Sequence, residues 1–148
     1  MKKTFIFMLG AVILGTISGK ILFSKYEDTS LVFNEGRSLY FLQEGVYSSK
    51  ENLDKNTKDI SPKIVIPKDN NYYVYVGITS SLDNALKIKK YYKDKGYTIY
   101  QKQIRVNNIE FINNVEQFDV LVESATDSDI LKIEEVVLSN YDDLIAKN

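Results

Sequence analysis

The chain has 148 residues, 44% of them hydrophobic and 26% charged, so it is composed to fold around a core. Its formal net charge of -1 gives no global attraction to nucleic acid or to an anionic surface. It has no Cys and no His, which excludes disulfides, thiol or imidazole catalysis and Cys- or His-ligated metals, and leaves carboxylate chemistry open.

Lys2 and Lys3 precede an apolar run over residues 4–23 that only Lys20 interrupts. About 20 residues make roughly 30 Å of helix, enough to cross a bilayer. The expectation is a single-pass anchor with residues 1–3 in the cytoplasm, by the positive-inside rule, and the bulk of the chain outside the membrane. A cleaved signal peptide is the rival reading, with Thr16-Ile17-Ser18-Gly19 as a weak cleavage site. Gly15 and Gly19 form a GxxxG of the kind that can mark a helix-dimer face. Residues 24–37 read as a polar linker carrying Leu31-Val32-Phe33.

Two stretches then repeat one pattern. FLQEGVYSSKENLDK begins at Phe41 and YVYVGITSSLDNALK at Tyr73, so that Gly45, Ser48, Ser49, Asn52 and Lys55 recur as Gly77, Ser80, Ser81, Asn84 and Lys87. Each copy is an alternating strand, a glycine, a serine pair and a helix. Strands are predicted over residues 38–46 and 72–79. Ser48 with Glu51, and Ser80 with Asp83, have capping-box spacing. The first helix is expected to reach about Ile60 before Pro62 stops it, and a short strand follows over residues 63–66. Leu82, Ala85, Leu86, Lys89 and Tyr92 keep helical spacing, Gly96 ends that helix, and residues 98–105 read as a last strand. The order is βαββαβ, an α+β ferredoxin- or RNP-like domain over residues 38–105, with a four-stranded antiparallel sheet and two helices on one face.

Alternation predicts the two faces of the sheet. Val74, Val76 and Ile78 are expected inward against the helices, and Tyr73, Tyr75, Gly77 and Thr79 outward, with Phe41 and Gln43 outward by the repeat. Glu44 aligns with Val76 and would point inward, a conflict that a bulge at Gly45 or a place at the rim would relieve. Gly45 and Gly77 read as turn or bulge residues.

Residues 106–148 carry 10 acidic and 2 basic side chains, against 12 basic and 6 acidic over residues 50–105. Phe111, Val115, Phe118 and Val122 have helical spacing, as do Ile130, Ile133, Val137, Tyr141 and Leu144. An acidic helical pair is expected here, capped in its second helix by Asp127 or Ser128, although residues 118–123 also read as a strand. This extension is expected to pack on the basic domain by charge; binding a partner is the alternative.

Residues 39–104 resemble a SPOR domain. The first copy supplies Phe41, Gln43, Gly45, Tyr47, Ser48, Ser49 and Asn52 of the family's repeat, and the second supplies Tyr73, Val74, Tyr75, Gly77, Ser80, Asn84 and Ala85. The resemblance implies binding of septal peptidoglycan, specifically glycan strands stripped of stem peptides, in a groove on the open sheet face beside the first strand. It implies no catalysis, cofactor or metal. The glycan-binding candidates are Gln43, which matches the family's strand Gln; Phe41, Tyr72, Tyr73 and Tyr75 as aromatic faces; and Gln101, with Gln103, by position. Tyr and Gln suit the task physically, since sugar faces need flat apolar surfaces and acetamido groups need amides.

The chain is therefore expected to be a bitopic envelope protein acting at division or sporulation septa. Peptidoglycan and the cell membrane would be its partners, with division or sporulation proteins as further candidates. The alternative is a membrane-anchored scaffold or regulator with a degenerate SPOR-like fold. A two-carboxylate glycosidase lacks a recognisable acid pair. Nucleic-acid binding lacks the RNP aromatic pattern.

Overall fold

A computed structural model describes residues 36–147. The anchor expected over residues 4–23 and the linker after it lie outside the described residues, and among those described no helix is long and apolar enough to cross a membrane. The elements in order are β1 (Arg37–Tyr47), α1 (Lys50–Thr57), β2 (Ile64–Lys68), β3 (Asn71–Thr79), α2 (Leu82–Asp94), β4 (Tyr100–Val106), α3 (Ile109–Ser124) and α4 (Asp127–Ala146). The repeat thus folds as βαββαβ, and the acidic segment follows as two helices. Residues 118–123 are helical rather than a strand, because the apolar spacing of α3 continues through them.

The sheet has four strands in the order β2-β3-β1-β4, every neighbouring pair antiparallel. That order follows from two split βαβ units, whose right-handed crossovers return each helix to the same side. The serine pairs cap both helices one residue later than the capping-box spacing predicts. Ser49 accepts from the Asn52 N–H and Ser81 from the Asn84 N–H, while Ser48 and Ser80 stand outside. α1 stops at Thr57, a turn short of Ile60, with Leu53 and Thr57 as its buried residues. Gly96 takes φ of +90°, the left-handed conformation that ends α2.

Register overturns the simple alternation of faces. Phe41 pairs with Ile78 and Leu42 with Gly77, but the next residue, Gln43, pairs with Tyr75, which leaves Val76 as an extra residue on β3. Glu44 is the extra residue on β1 before Gly45 meets Val74. Ile78 therefore shares a face with Phe41, Gln43 and Tyr75, not with Val74. Gly77 and Leu42 look the other way, toward Ile88 of α2. The irregularity that Glu44 demanded is present: its carboxylate swings to the Tyr47 hydroxyl, which donates to both oxygens at 3.0 and 2.9 Å. Burial and this carboxylate together push the Tyr47 hydroxyl up to about 12.

Gly77 sits in mid-strand at a close approach rather than at a turn. A methyl group there would meet Glu134 Oε2 and Leu42 Cδ1 at 3.2 Å and Ile88 Cγ2 at 3.4 Å. Gly77→Ala is expected to cost about 1–2 kcal/mol by overpacking, read as a lower midpoint in urea at unchanged slope. An unchanged midpoint would mean that β3 and α2 separate freely.

Candidate functional site

The two C-terminal helices, whose side of the sheet the sequence left open, pack on the face opposite to α2. Tyr141 of α4 lies on Phe41 of β1, with ring centroids 5.0 Å apart, and Phe111 of α3 lies 5.3 Å from Tyr141. Tyr75 completes the cluster 5.5 Å from Phe41 in an edge-to-face arrangement. The face carrying Phe41 is thus packed under α3 and α4, while α2 packs on the Leu42 side. The reason is the apolar stripe of the C-terminal helices. Phe111, Ile112, Val115, Phe118 and Val122 of α3, with Ile130, Ile133, Val137 and Leu138 of α4, are all buried.

This arrangement sorts the candidate glycan-binding residues. Phe41, Gln43, Tyr73 and Tyr75 share one face, as expected. Of these, Phe41 is 0%, Tyr75 7% and Gln43 9% exposed, so none of the three reaches a ligand while α4 is docked. Burial raises the hydroxyl pKa of Tyr75 and of Tyr141. Tyr73 remains half-buried at the edge of the cover. Tyr72 pairs with Tyr47 and Gln101 with Leu42, which turns both to the opposite face. Gln103 pairs with Tyr40 and joins them there. Tyr72 instead lines a shallow hollow of about 450 Å³ with Ser48, Ser49, Lys68 and Asn70 at the β2–β3 turn.

A strip of the aromatic face stays uncovered. Val46, Tyr73 and Ile66 form one row across β1, β3 and β2, and Tyr100 of β4 stands opposite Gln43 in the adjoining row on that face. Tyr100 is 53% and Val46 44% exposed, unusual for such side chains on a sheet. Tyr73 and Tyr100 can present ring faces, and Val46 and Ile66 an apolar floor. Val46 and Tyr100 were not among the sequence candidates, although continued alternation from Phe41 and Gln43 along β1 and β4 marks the same strip once the extra residue is counted.

Two buried carboxylates hold the cover in place, and both were read from sequence only as members of an acidic run. Asp119 of α3 accepts from the Thr79 hydroxyl, from the Ser80 N–H at 2.8 Å and hydroxyl at 2.6 Å, and from Asn84 Nδ2 at 3.2 Å. Ser80 and Asn84, which the repeat marked, thus serve a tertiary contact. Glu134 of α4 accepts from the Ile78 N–H at 2.9 Å. That N–H is available because β2 pairs with β3 only from Asn71 to Tyr75. Complete burial pushes Glu134 up to about 8, opposed by the Ile78 bond and assisted by the nearby Asp119 charge. The positions themselves carried the signal: both acids fall on the apolar stripe of their helices, beside Phe118 and Ile133. Among the described residues no group of three or more acidic side chains is placed to hold a metal ion.

No family model matches the chain, and no curated protein matches it. Among solved structures it is similar to the peptidoglycan-binding domain of the Bacillus subtilis cell wall lytic enzyme CwlC. The two are 28% identical over 53% of this chain and 98% of that domain, with a TM-score of 0.40. At that score the superposition is loose and does not establish a common fold.

Proposed function

We propose that the chain binds peptidoglycan, and that its ligand is the glycan strand freed of stem peptides at division or sporulation septa. The observation that carries this reading is the uncovered strip of Val46, Ile66, Tyr73 and Tyr100. A neutral sugar ring offers C–H faces, which stack on tyrosine rings, and hydroxyls, which reach the phenolic groups. The paired strand–glycine–serine–helix repeat that resembles the SPOR family supports the same ligand. The one acidic side chain of β1, Glu44, is bonded to Tyr47 and so does not face the strip. The chain would reach the wall as a bitopic protein held by residues 4–23. Protease digestion of spheroplasts carrying a C-terminally tagged chain checks that orientation, and a protected tag would refute it.

Sacculi bound before and after an amidase strips the stem peptides test the ligand. Retention is expected to rise after treatment, and unchanged retention removes the denuded-glycan reading. Tyr100 is 53% exposed, so Tyr100→Ala is expected to fold normally. Losing one stacking ring costs about 1 kcal/mol, so its retention should fall roughly 5-fold. Full retention would move the site off the strip.

A second reading is favoured by the burial of Phe41, Gln43 and Tyr75. A sheet that has surrendered these positions to its own helices is suited to act as a scaffold, with the acidic outer surface of α3 and α4 meeting another envelope protein. Absent sacculus binding together with a diffuse envelope signal from a fluorescent fusion would select it.

A further inference from the structure

The cover over the aromatic face is attached differently from the rest of the core. α3 and α4 join the sheet through the two residues between Val106 and Ile109. Beyond that connection, and besides their buried apolar stripes, the Glu134–Ile78 bond and the exposed ion pair of Glu116 with Arg37 of β1, they are held by polar contacts to β3 and α2 at one end. Asp119 receives Thr79, Ser80 and Asn84. Lys87 Nζ donates to the carbonyls of Val122, Glu123 and Ala125 at 2.9, 3.2 and 3.0 Å, closing the C-terminal end of α3. At the other end the contact is aromatic, with Tyr141 and Phe111 seated over Phe41 and Tyr75. Helices bearing 10 acidic side chains against one basic, Lys132, thus lie on a domain that is net basic. Rings stacked on rings are what a pyranose would replace, because the same apolar faces accept either.

We infer that α3 and α4 form a hinged cover that competes internally for the aromatic face. Its release exposes Phe41, Gln43 and Tyr75 as an extension of the strip formed by Val46, Tyr73 and Ile66. The identity of the ligand rests on the peptidoglycan reading; the opening does not. The closed form shows the ligand only the strip, and the apparent affinity for a longer ligand is reduced by the fraction of molecules that are open. A ligand that fits only the open form shifts the population toward it. Opening of this kind is sub-global: α1, α2 and the sheet keep their own core.

The absence of cysteine from the chain allows a direct test. Ile78 and Val74 are both buried on β3, Ile78 toward the cover and Val74 on the opposite face. Single-thiol chains carrying Ile78→Cys or Val74→Cys are labelled with a thiol reagent under native conditions. The Ile78→Cys chain is expected to label at least about ten times faster, since it needs only the cover to lift. Adding Lys87→Met, which frees the end of α3 without touching the sheet face, should widen that gap. Equal rates at the two positions, with and without Lys87→Met, would mean that the face opens only when the whole domain unfolds, and would overturn the cover. A variant that merely loosens the fold raises both rates together, and that outcome overturns the cover as well.

The Lys87→Met chain with native sequence elsewhere is then mixed with amidase-treated sacculi. At least about threefold more protein retained than for the unaltered chain joins the cover to the glycan site. A wide labelling gap with unchanged retention keeps the cover and removes peptidoglycan as its ligand, so the two failures are distinguishable.

Discussion

Asp119→Ala is expected to destabilise the protein more than any surface change. The Asp119 carboxylate is 6% exposed and accepts from Thr79, Ser80 and Asn84, of which Thr79 and Asn84 are themselves buried. Hydrogen bonds to a charged acceptor contribute about 1.5–3 kcal/mol each, and they are not additive where they share one group. Removing the acceptor also leaves the Thr79 hydroxyl with only its longer bond to the Ser81 carbonyl, at 3.4 Å, and Asn84 Nδ2 with only the Asp119 main-chain carbonyl, at 2.9 Å. We expect a net loss of about 3–5 kcal/mol, a large part of the roughly 5–15 kcal/mol typical of a domain. The melting temperature should fall by roughly 15 °C or more. Asp119→Asn keeps an acceptor but turns an NH₂ toward a set of donors, and should fall between the two. Thermal melts followed by far-ultraviolet circular dichroism check the order. A loss below about 1 kcal/mol for Asp119→Ala would show that α3 is held by apolar packing alone.

Glu134→Gln is expected to abolish a pH dependence. In the unfolded chain this carboxyl ionises near its ordinary value of 4.5, whereas burial in the folded protein pushes it up to about 8. Between those values the folded state holds a proton that the unfolded state has released. Stability contributed by the neutral carboxyl is therefore complete below about pH 4.5 and falls as the pH rises through 8. At about 1.4 kcal/mol per pKa unit the loss is on the order of 5 kcal/mol. Of the groups around Glu134, only the Ile78 N–H favours the ionised form, and burial outweighs it. The Ile78 N–H from β3 does not titrate in this range. The nearby Tyr92 hydroxyl of α2 is itself raised by burial and stays neutral, and the Asp119 charge on α3 adds to the rise. Urea titrations of both proteins from about pH 5 to about pH 9 give the comparison. Wild type should lose stability relative to Glu134→Gln across that range. A constant difference would mean that Glu134 does not change charge in the folded protein.

These two carboxylates bear on function because both sit at the seam between the cover and the sheet. Alkaline conditions weaken the α4 contact through Glu134, whereas α3 is held by the several bonds that Asp119 accepts from β3 and α2. The seam is thus stronger at the α3 end than along α4.

Part of this protein is legible in its sequence because the signals are local. Alternation of period two in FLQEGVY and YVYVGIT specifies strands whatever surrounds them. The 3.6-residue spacing of Leu82, Ala85 and Tyr92, the paired serines and Gly96 specify the helices and their ends. The connection lengths and crossover handedness then leave essentially one order for the sheet. The stripes of α3 and α4 also announced two helices with something to bury.

What those stripes bury against was decided by the tertiary structure alone. A helical stripe states that one side must leave water, not which surface it will meet. Here the nearest unsatisfied apolar surface was the aromatic face of the sheet, so Phe41, Gln43 and Tyr75 became core. The faces themselves moved for a related reason. Period-two counting holds only until a strand gains a residue, and the extra residues at Val76 and Glu44 sent Ile78 and Val46 to the Phe41 side. Sequence marked the two repeat copies and their aromatic character; the pairing register and the docking of α4 determined that Tyr73 and Tyr100, rather than Gln43, stand where a ligand can reach them.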